Sequence, residues 1–295
     1  MTAAVARAVR FDRFGGPDVL YVADVDMPSP GPGEVLVDVR AAGVNPGEAL
    51  IRTGALHEMF PDRFSATFPA GEGNDLAGVV TAVGREVSQF SLGDEVLGFS
   101  LRRDSHATHT AVPVAQLIRK PAQLGWEIAG SLFVVGVTAY AAVRAVAPRP
   151  DETVAVSAAA GGVGSLVVQL LVLRKARVLG IAGPDNADWL RAHGVTPIAY
   201  GDGSATRLQE AAPGGIDAFI DLFGPDYVQL AVDLGVAPER INTTVLDSEG
   251  PRSRREVRGR RRCVHNASAR RNRRASRNRR LRFRHCRHLS DRPGR

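Results

Sequence analysis

The chain has 295 residues, 44% of them hydrophobic and 23% charged, enough to bury the cores of two domains. Its net charge of +7 averages two unlike segments: residues 251–295 hold 19 Arg, no Lys and two carboxylates, Glu256 and Asp291, whereas residues 1–250 hold 19 basic and 29 acidic side chains. Both cysteines, Cys263 and Cys286, lie in the basic segment, which excludes thiol catalysis, a disulfide and thiolate metal ligation from residues 1–250.

The first seven residues lead into no apolar run of the signal-peptide kind, and no stretch near eighteen apolar residues is free of charge. A cytoplasmic protein that does not enter a membrane is expected. From residue 8 to 123 the pattern reads as all-β. Residues 34–40 alternate with period two, 76–84 form a buried run, and turns rich in Gly and Pro at 14–17, 28–33 and 91–94 divide short strands at intervals suiting a small barrel or sandwich. The period then changes. Residues 126–146 carry apolar side chains at three-to-four spacing, which predicts helices leading into a second domain.

Residues 154–169 read as strand, glycine turn and helix in immediate succession. Such a turn suits a nucleotide diphosphate, because glycines admit the phosphate oxygens to the backbone and the helix N-terminus supplies positive charge. The fingerprint G-x-G-x-x-G requires glycine at 159, 161 and 164, and Ala159 takes the first place. A second β-branched run at 176–182 follows at the interval a right-handed βαβ unit requires. Strands are predicted at 153–157, 177–182, 196–200, 218–223 and 240–244 with helices between them, an α/β arrangement built on an open, doubly wound parallel sheet of five strands. Residues 251–295 show no strand or helix period and too little apolar content for a core.

These motifs resemble those of the zinc-independent quinone oxidoreductases of the medium-chain dehydrogenase/reductase superfamily, over about residues 7–246. The carriers are Phe14-Gly-Gly-Pro-Asp-Val-Leu20, Gly43-Val-Asn-Pro46, Asn74-Asp-Leu-Ala-Gly-Val-Val80, Leu92-Gly-Asp-Glu-Val96, Gly136-Val-Thr-Ala-Tyr140 and Ala159-Ala-Gly-Gly-Val-Gly164. The resemblance implies a GroES-like β-barrel domain over 1–123 and a Rossmann domain over 124–250, while composition predicts a disordered arginine-rich tail over 251–295. It also implies cofactor and substrate in the cleft between the domains, and hydride transfer from a reduced nicotinamide to a quinone or an α,β-unsaturated carbonyl.

Zinc-dependent relatives place Cys where Asn45 stands and His-Glu where Asn74-Asp75 stands, so no zinc is expected, catalytic or structural. His57, His106 and His109 share no metal-binding spacing. Asn45 is the candidate hydrogen-bond donor to the substrate oxygen; the alternative is that it caps its own Asn-Pro turn. Many relatives carry Tyr or Lys where this chain has Leu50, and Asp where it has Glu48. By the same resemblance Thr138 lies near the nicotinamide, or else bonds its own helix backbone. Ala160, Gly161, Gly162, Val163 and Gly164 would hold the diphosphate, with Asp185, Tyr200 and Phe223 as further cofactor contacts. Asp185 would serve the ribose of NAD or cap the next helix, while Tyr200 matches a tyrosine that flanks the adenosine phosphate in NADP-using relatives. The balance tips slightly to NADP(H) over NAD(H). Ile51, Phe60, Phe64 and Phe133 suit either an apolar substrate cleft or the core.

The family would continue past Thr244 with another helix and a sixth strand, and often dimerises through that edge, so a homodimer is an open expectation. Arginine without lysine, scattered histidines and the only two cysteines point instead to an out-of-frame translation beginning between about residues 246 and 251. The functional alternative is a nucleic-acid-associated or inactive nucleotide-binding protein whose nineteen arginines bind phosphates without sequence preference. The spacing of Cys263, His265, His285, Cys286 and His288 matches no zinc finger.

Overall fold

The computed structural model describes residues 4–65 and 67–245, and the expectations for the arginine-rich tail lie outside them. The chain divides into two compact units between Val137 and Thr138.

The first unit contains β1 (Val5–Phe11), β2 (Tyr21–Asp26), β3 (Glu34–Ala41), α1 (Pro46–Arg52), α2 (Ala55–Met59), β4 (Ala70–Gly71), β5 (Asp75–Val83), β6 (Glu95–Phe99), β7 (His109–Pro113) and β8 (Leu117–Arg119). The strands form two antiparallel sheets, ordered β2-β1-β4 and β7-β3-β5-β6-β8. The alternation read in β3 carries the packing: Val35 and Val37 are fully buried with Leu76, Val80, Phe90, Val96, Val112 and Leu117. An all-β reading of 8–123 is corrected by α1 and α2. Both are too short to show a helical period, yet α1 has a local cause: Pro46 opens it, and the Glu48 carboxylate reaches back to accept the Asn45 N–H at 2.9 Å.

One 21-residue helix, α3 (Trp126–Val146), occupies the region read as helical. By length and composition it could cross a membrane. Within the protein it buries Ala129, Ala139, Ala142, Val143 and Val146. Gly130 allows its close approach to β3, since a Cβ there would lie 2.6 Å from the Ala41 carbonyl oxygen.

The second unit alternates strand and helix: β9 (Thr153–Val156), α4 (Gly162–Leu173), β10 (Arg177–Ala182), α5 (Ala187–Ala192), β11 (Val195–Ala199), α6 (Ser204–Ala211), β12 (Ala218–Asp221), α7 (Pro225–Asp233) and β13 (Ile241–Thr243). All five strands are parallel, in the order β11-β10-β9-β12-β13. Successive residues serve opposite faces. Val154, Val156, Ala218 and Ile220 pack with α3 and α4 residues such as Val143 and Val167, whereas Ala155 and Phe219 pack with Leu208 and Ala231 from α6 and α7. Burial on both faces explains why these strands read as short apolar runs rather than alternating ones. Among the described residues, β13 has a strand neighbour on one side only.

Candidate functional site

The chain builds β9, β10 and β11 outward on one side of β9, then crosses back to place β12 and β13 on the other. Ligands of open α/β sheets bind outside the C-terminal strand ends at such a switch point. The glycine turn lies there. Gly161 is extended and exposed, and α4 begins with Gly162, Val163 and Gly164, whose N–H groups fall in the first turn and have no carbonyl partner within the helix. No acidic side chain occupies that turn, so its positive end faces outward uncompensated.

Gly164 is buried, and a Cβ there would lie 2.1 Å from the Ala158 carbonyl oxygen. This glycine lets α4 pack directly on the turn leaving β9, while Gly161 opens the backbone to an approaching anion. Ala159, at the place of the missing first glycine, is fully buried and donates its N–H to the Ile181 carbonyl at 3.0 Å. The residue that bends the chain is Ala158, with φ of 48°, in the left-handed region that side chains other than glycine rarely adopt.

Asp221 joins the strand ends and has no counterpart among the residues singled out from sequence. Its fully buried carboxylate accepts from Ser157 Oγ at 2.7 Å, Phe223 N at 3.0 Å and Gly224 N at 3.1 Å through Oδ1, and from Thr243 Oγ1 at 2.8 Å through Oδ2. Ser157 Oγ in turn accepts the Leu222 N–H at 2.8 Å. One charge therefore ties together the chain leaving β9, β12 and β13. The loop it shapes presents Phe223, 71% exposed, edge-on to Tyr227 at 5.7 Å. Burial, then the Asp221 charge, holds the Tyr227 phenol above its ordinary range.

At the neighbouring strand ends, Asp185 is exposed in the short turn Pro184–Asn186 after β10, and Tyr200, 61% exposed, follows β11. The two loops touch: a Cβ at Gly183 would lie 3.4 Å from Tyr200 Cε1. The fold thus gathers the turn from Ala160 to Gly164 with Asp185, Tyr200 and Phe223 at the C-terminal ends of the parallel strands. Thr138 is half-buried on α3.

Asn45 belongs to a polar cluster in the first unit. Its Nδ2 donates to Glu48 Oε1 and to Asp75 Oδ2, each at 3.2 Å. Glu48 Oε1 also accepts the Asn74 N–H at 2.9 Å, and Asp75 Oδ1 accepts the Val134 N–H at 2.9 Å. Both amide hydrogens of Asn45 are therefore committed to carboxylates. Asp75 is fully buried, and that burial raises its carboxyl above the usual range against the opposing bonds from Val134 and Asn45. Burial likewise raises Glu72, although the Arg52 guanidinium pairs with it. His106 Nε2 lies 2.8 Å from the Gly43 carbonyl oxygen. Among the described residues, no group of three or more His, Cys, Asp or Glu is disposed to hold a metal ion. Phe133 stacks on Phe99 at 4.3 Å, and Phe60 lies 6.4 Å from Phe64.

Residues 31–111 match the family model for the alcohol dehydrogenase GroES-like domain. The chain is 30% identical to the quinone oxidoreductase of Lama guanicoe, over 83% of its own length and 74% of that protein's. Among solved structures, the CurK enoyl reductase superposes with a TM-score of 0.73 at 24% identity, covering 83% of this chain and 81% of the other. The Escherichia coli quinone oxidoreductase, solved in complex with NADPH, gives a TM-score of 0.66 at 23% identity, covering 83% and 82%. At these identities both structures bear on the fold alone.

Proposed function

The chain belongs to the quinone oxidoreductase-like members of the medium-chain dehydrogenase/reductase superfamily, and from that membership we propose that it reduces quinones or α,β-unsaturated carbonyls with NADPH and without a metal ion. The observation that carries the nucleotide part is Gly164, which brings the α4 N-terminus against the turn leaving the central strand. Gly162, Val163 and Gly164 offer backbone N–H groups to a diphosphate, with Ala160 and the exposed Gly161, whose own N–H bonds the Ala158 carbonyl, in the same turn, and this chemistry of donors fits the group. Tyr200 and Asp185 stand where the adenosine ribose is read, with Thr138 and Phe223 proposed toward the nicotinamide.

A bound reduced nicotinamide supplies a hydride from C4. The protein's part is to hold donor and acceptor in contact and to hydrogen-bond the acceptor oxygen as it gains charge. Asn45 is proposed for that bond. Since its amide already serves Glu48 and Asp75, it reaches a substrate oxygen by exchanging one of those two bonds. The metal-independent reading rests on the same residues. Asn45, Asn74 and Asp75, where zinc-dependent relatives carry ligands, are engaged with one another and with Glu48, Val134 and Ser100.

The test is titration of the full chain with NADPH and NADH by nicotinamide fluorescence, followed by oxidation of each with benzoquinone, naphthoquinone and a simple enone. Tighter NADPH binding and acceptor-dependent oxidation are expected. Absence of binding to either nucleotide overturns the proposal.

A further inference from the structure

We infer that Arg207 is the cation by which this chain selects a 2′-phosphorylated dinucleotide, acting at the adenosine end of the proposed site and resting on that reading. Arg207 stands in the first turn of α6, where the helix dipole disfavours positive charge, so intrahelical electrostatics do not account for its place. Its guanidinium instead reaches back over the loop that follows β11. Nε donates to Ala199 O at 3.1 Å, Nη1 to Asp202 O at 2.9 Å, and Nη2 to the carbonyls of Ala199, Tyr200 and Gly201 at 2.8, 3.3 and 3.4 Å. Gly201 and Gly203, with φ of 90° and 78°, turn the chain so that these carbonyls converge on one planar group.

Two consequences follow from that geometry. All of these acceptors are neutral carbonyls, and among the described residues no carboxylate lies within ion-pair distance of Arg207, so its charge is fixed in position without being cancelled. The bonds also set Tyr200, whose ring stands against Gly183 at the end of β10, the place where the ribose 2′ position is read. A cation fixed beside the Tyr200 carbonyl, 3.3 Å away, favours a phosphate at the 2′ position. The opposing charges are Asp185 on the neighbouring loop, Asp202 within the braced one and Glu210 three residues on in α6, all exposed and hence more strongly screened. A lysine could supply the charge but not the planar set of donors that braces the loop.

The experiment uses fragments that occupy the adenosine end only. Binding of 2′,5′-ADP and 5′-ADP to the full chain and to Arg207→Gln and Arg207→Lys is measured by calorimetry, at low and at physiological salt. The unaltered chain is expected to prefer 2′,5′-ADP by roughly tenfold, the size of one charge-assisted contact at a partly exposed site. Arg207→Gln should lose most of that preference while holding 5′-ADP within about twofold, with Arg207→Lys intermediate. Should Arg207→Gln fail to fold, the preference of the unaltered chain must still shrink with added salt. An unchanged preference in Arg207→Gln, or an equal loss for both fragments, overturns the assignment. If both fragments bind the unaltered chain without preference, this assignment alone fails; if neither binds, the dinucleotide reading fails with it.

Discussion

Replacing Gly164 with Ala should damage both the stability and the nucleotide affinity of the second unit, and the structure sets the size of the effect. The added Cβ would stand 2.1 Å from the Ala158 carbonyl oxygen and 2.8 Å from the Ala159 carbonyl carbon. Both are backbone atoms of the turn, which no rotamer change can move, so α4 must retreat by about 1 Å to restore ordinary contact. Overpacking of this kind costs about 1–3 kcal/mol. In a unit of this size each kcal/mol lowers Tm by roughly 4–8 °C. The displaced first turn also carries the N–H groups proposed to meet the diphosphate, so NADPH affinity should fall by about tenfold or more. Gly161→Ala is the informative partner. Its Cβ would meet the same oxygen at 3.2 Å, with φ of −74°, a contact relieved by a few tenths of an ångström. It should therefore keep most of its Tm yet still lose NADPH affinity, because the exposed Gly161 is where the turn is proposed to admit the diphosphate. Thermal denaturation and fluorescence titration of both variants decide the matter. An unchanged Tm in Gly164→Ala, or a larger loss in Gly161→Ala, would refute the packing argument.

Removing the buried carboxylate of Asp221 with Ala leaves two hydroxyls and two backbone N–H groups without their acceptor, at a cost of about 2–5 kcal/mol in urea denaturation; a loss below about 1 kcal/mol contradicts its role as the tie between strand ends. Asn45→Ala should lower kcat by about 10²-fold with little change in KM if the amide serves the reacting oxygen, whereas an unaltered kcat reduces Asn45 to a residue that caps and packs. Because burial raises Asp75 and Glu72 in the folded state, their contribution to stability is complete below the unfolded carboxylate values and is lost as pH rises through the folded ones. Asp94, lowered by Arg119, and Glu152 act in the opposite sense, losing their contribution as pH falls through their folded values. Glu152 is lowered because the Arg149 N–H and the Arg240 guanidinium together outweigh its burial. Asp75→Asn should accordingly flatten the decline in stability as pH rises above the ordinary carboxylate range, and an unaltered slope in pH-dependent denaturation counts against a raised Asp75.

The parallel sheet was legible because its signals are local. Each strand is buried on both faces and flanked by turns, so the predicted runs at 153–157, 177–182, 196–200, 218–223 and 240–244 fall within two residues of β9 to β13. The glycine turn was legible for the same reason, since its geometry is written within seven residues. The short helices α1 and α2 were hidden by the Gly and Pro around them, although Asn45, Pro46 and Glu48 together spell a helix start. What escaped sequence reasoning is long-range. The partners of Asp221 come from positions 157, 223, 224 and 243, and nothing near residue 45 announces that Asp75, thirty positions on, takes one of its amide hydrogens. Arg207 was passed over because only the β11 loop folding back upon it gives a surface arginine a fixed place.

The most direct test of a metal-free hydride transfer is a single-turnover experiment with NADPH deuterated at C4, mixed with a quinone after the full chain has been treated with a strong chelator. Metal-free hydride transfer requires that NADPH be oxidised at the same rate with and without chelator, and more slowly from the deuterated position. Loss of oxidation on chelation, or oxidation that is indifferent to the deuterium, would contradict it.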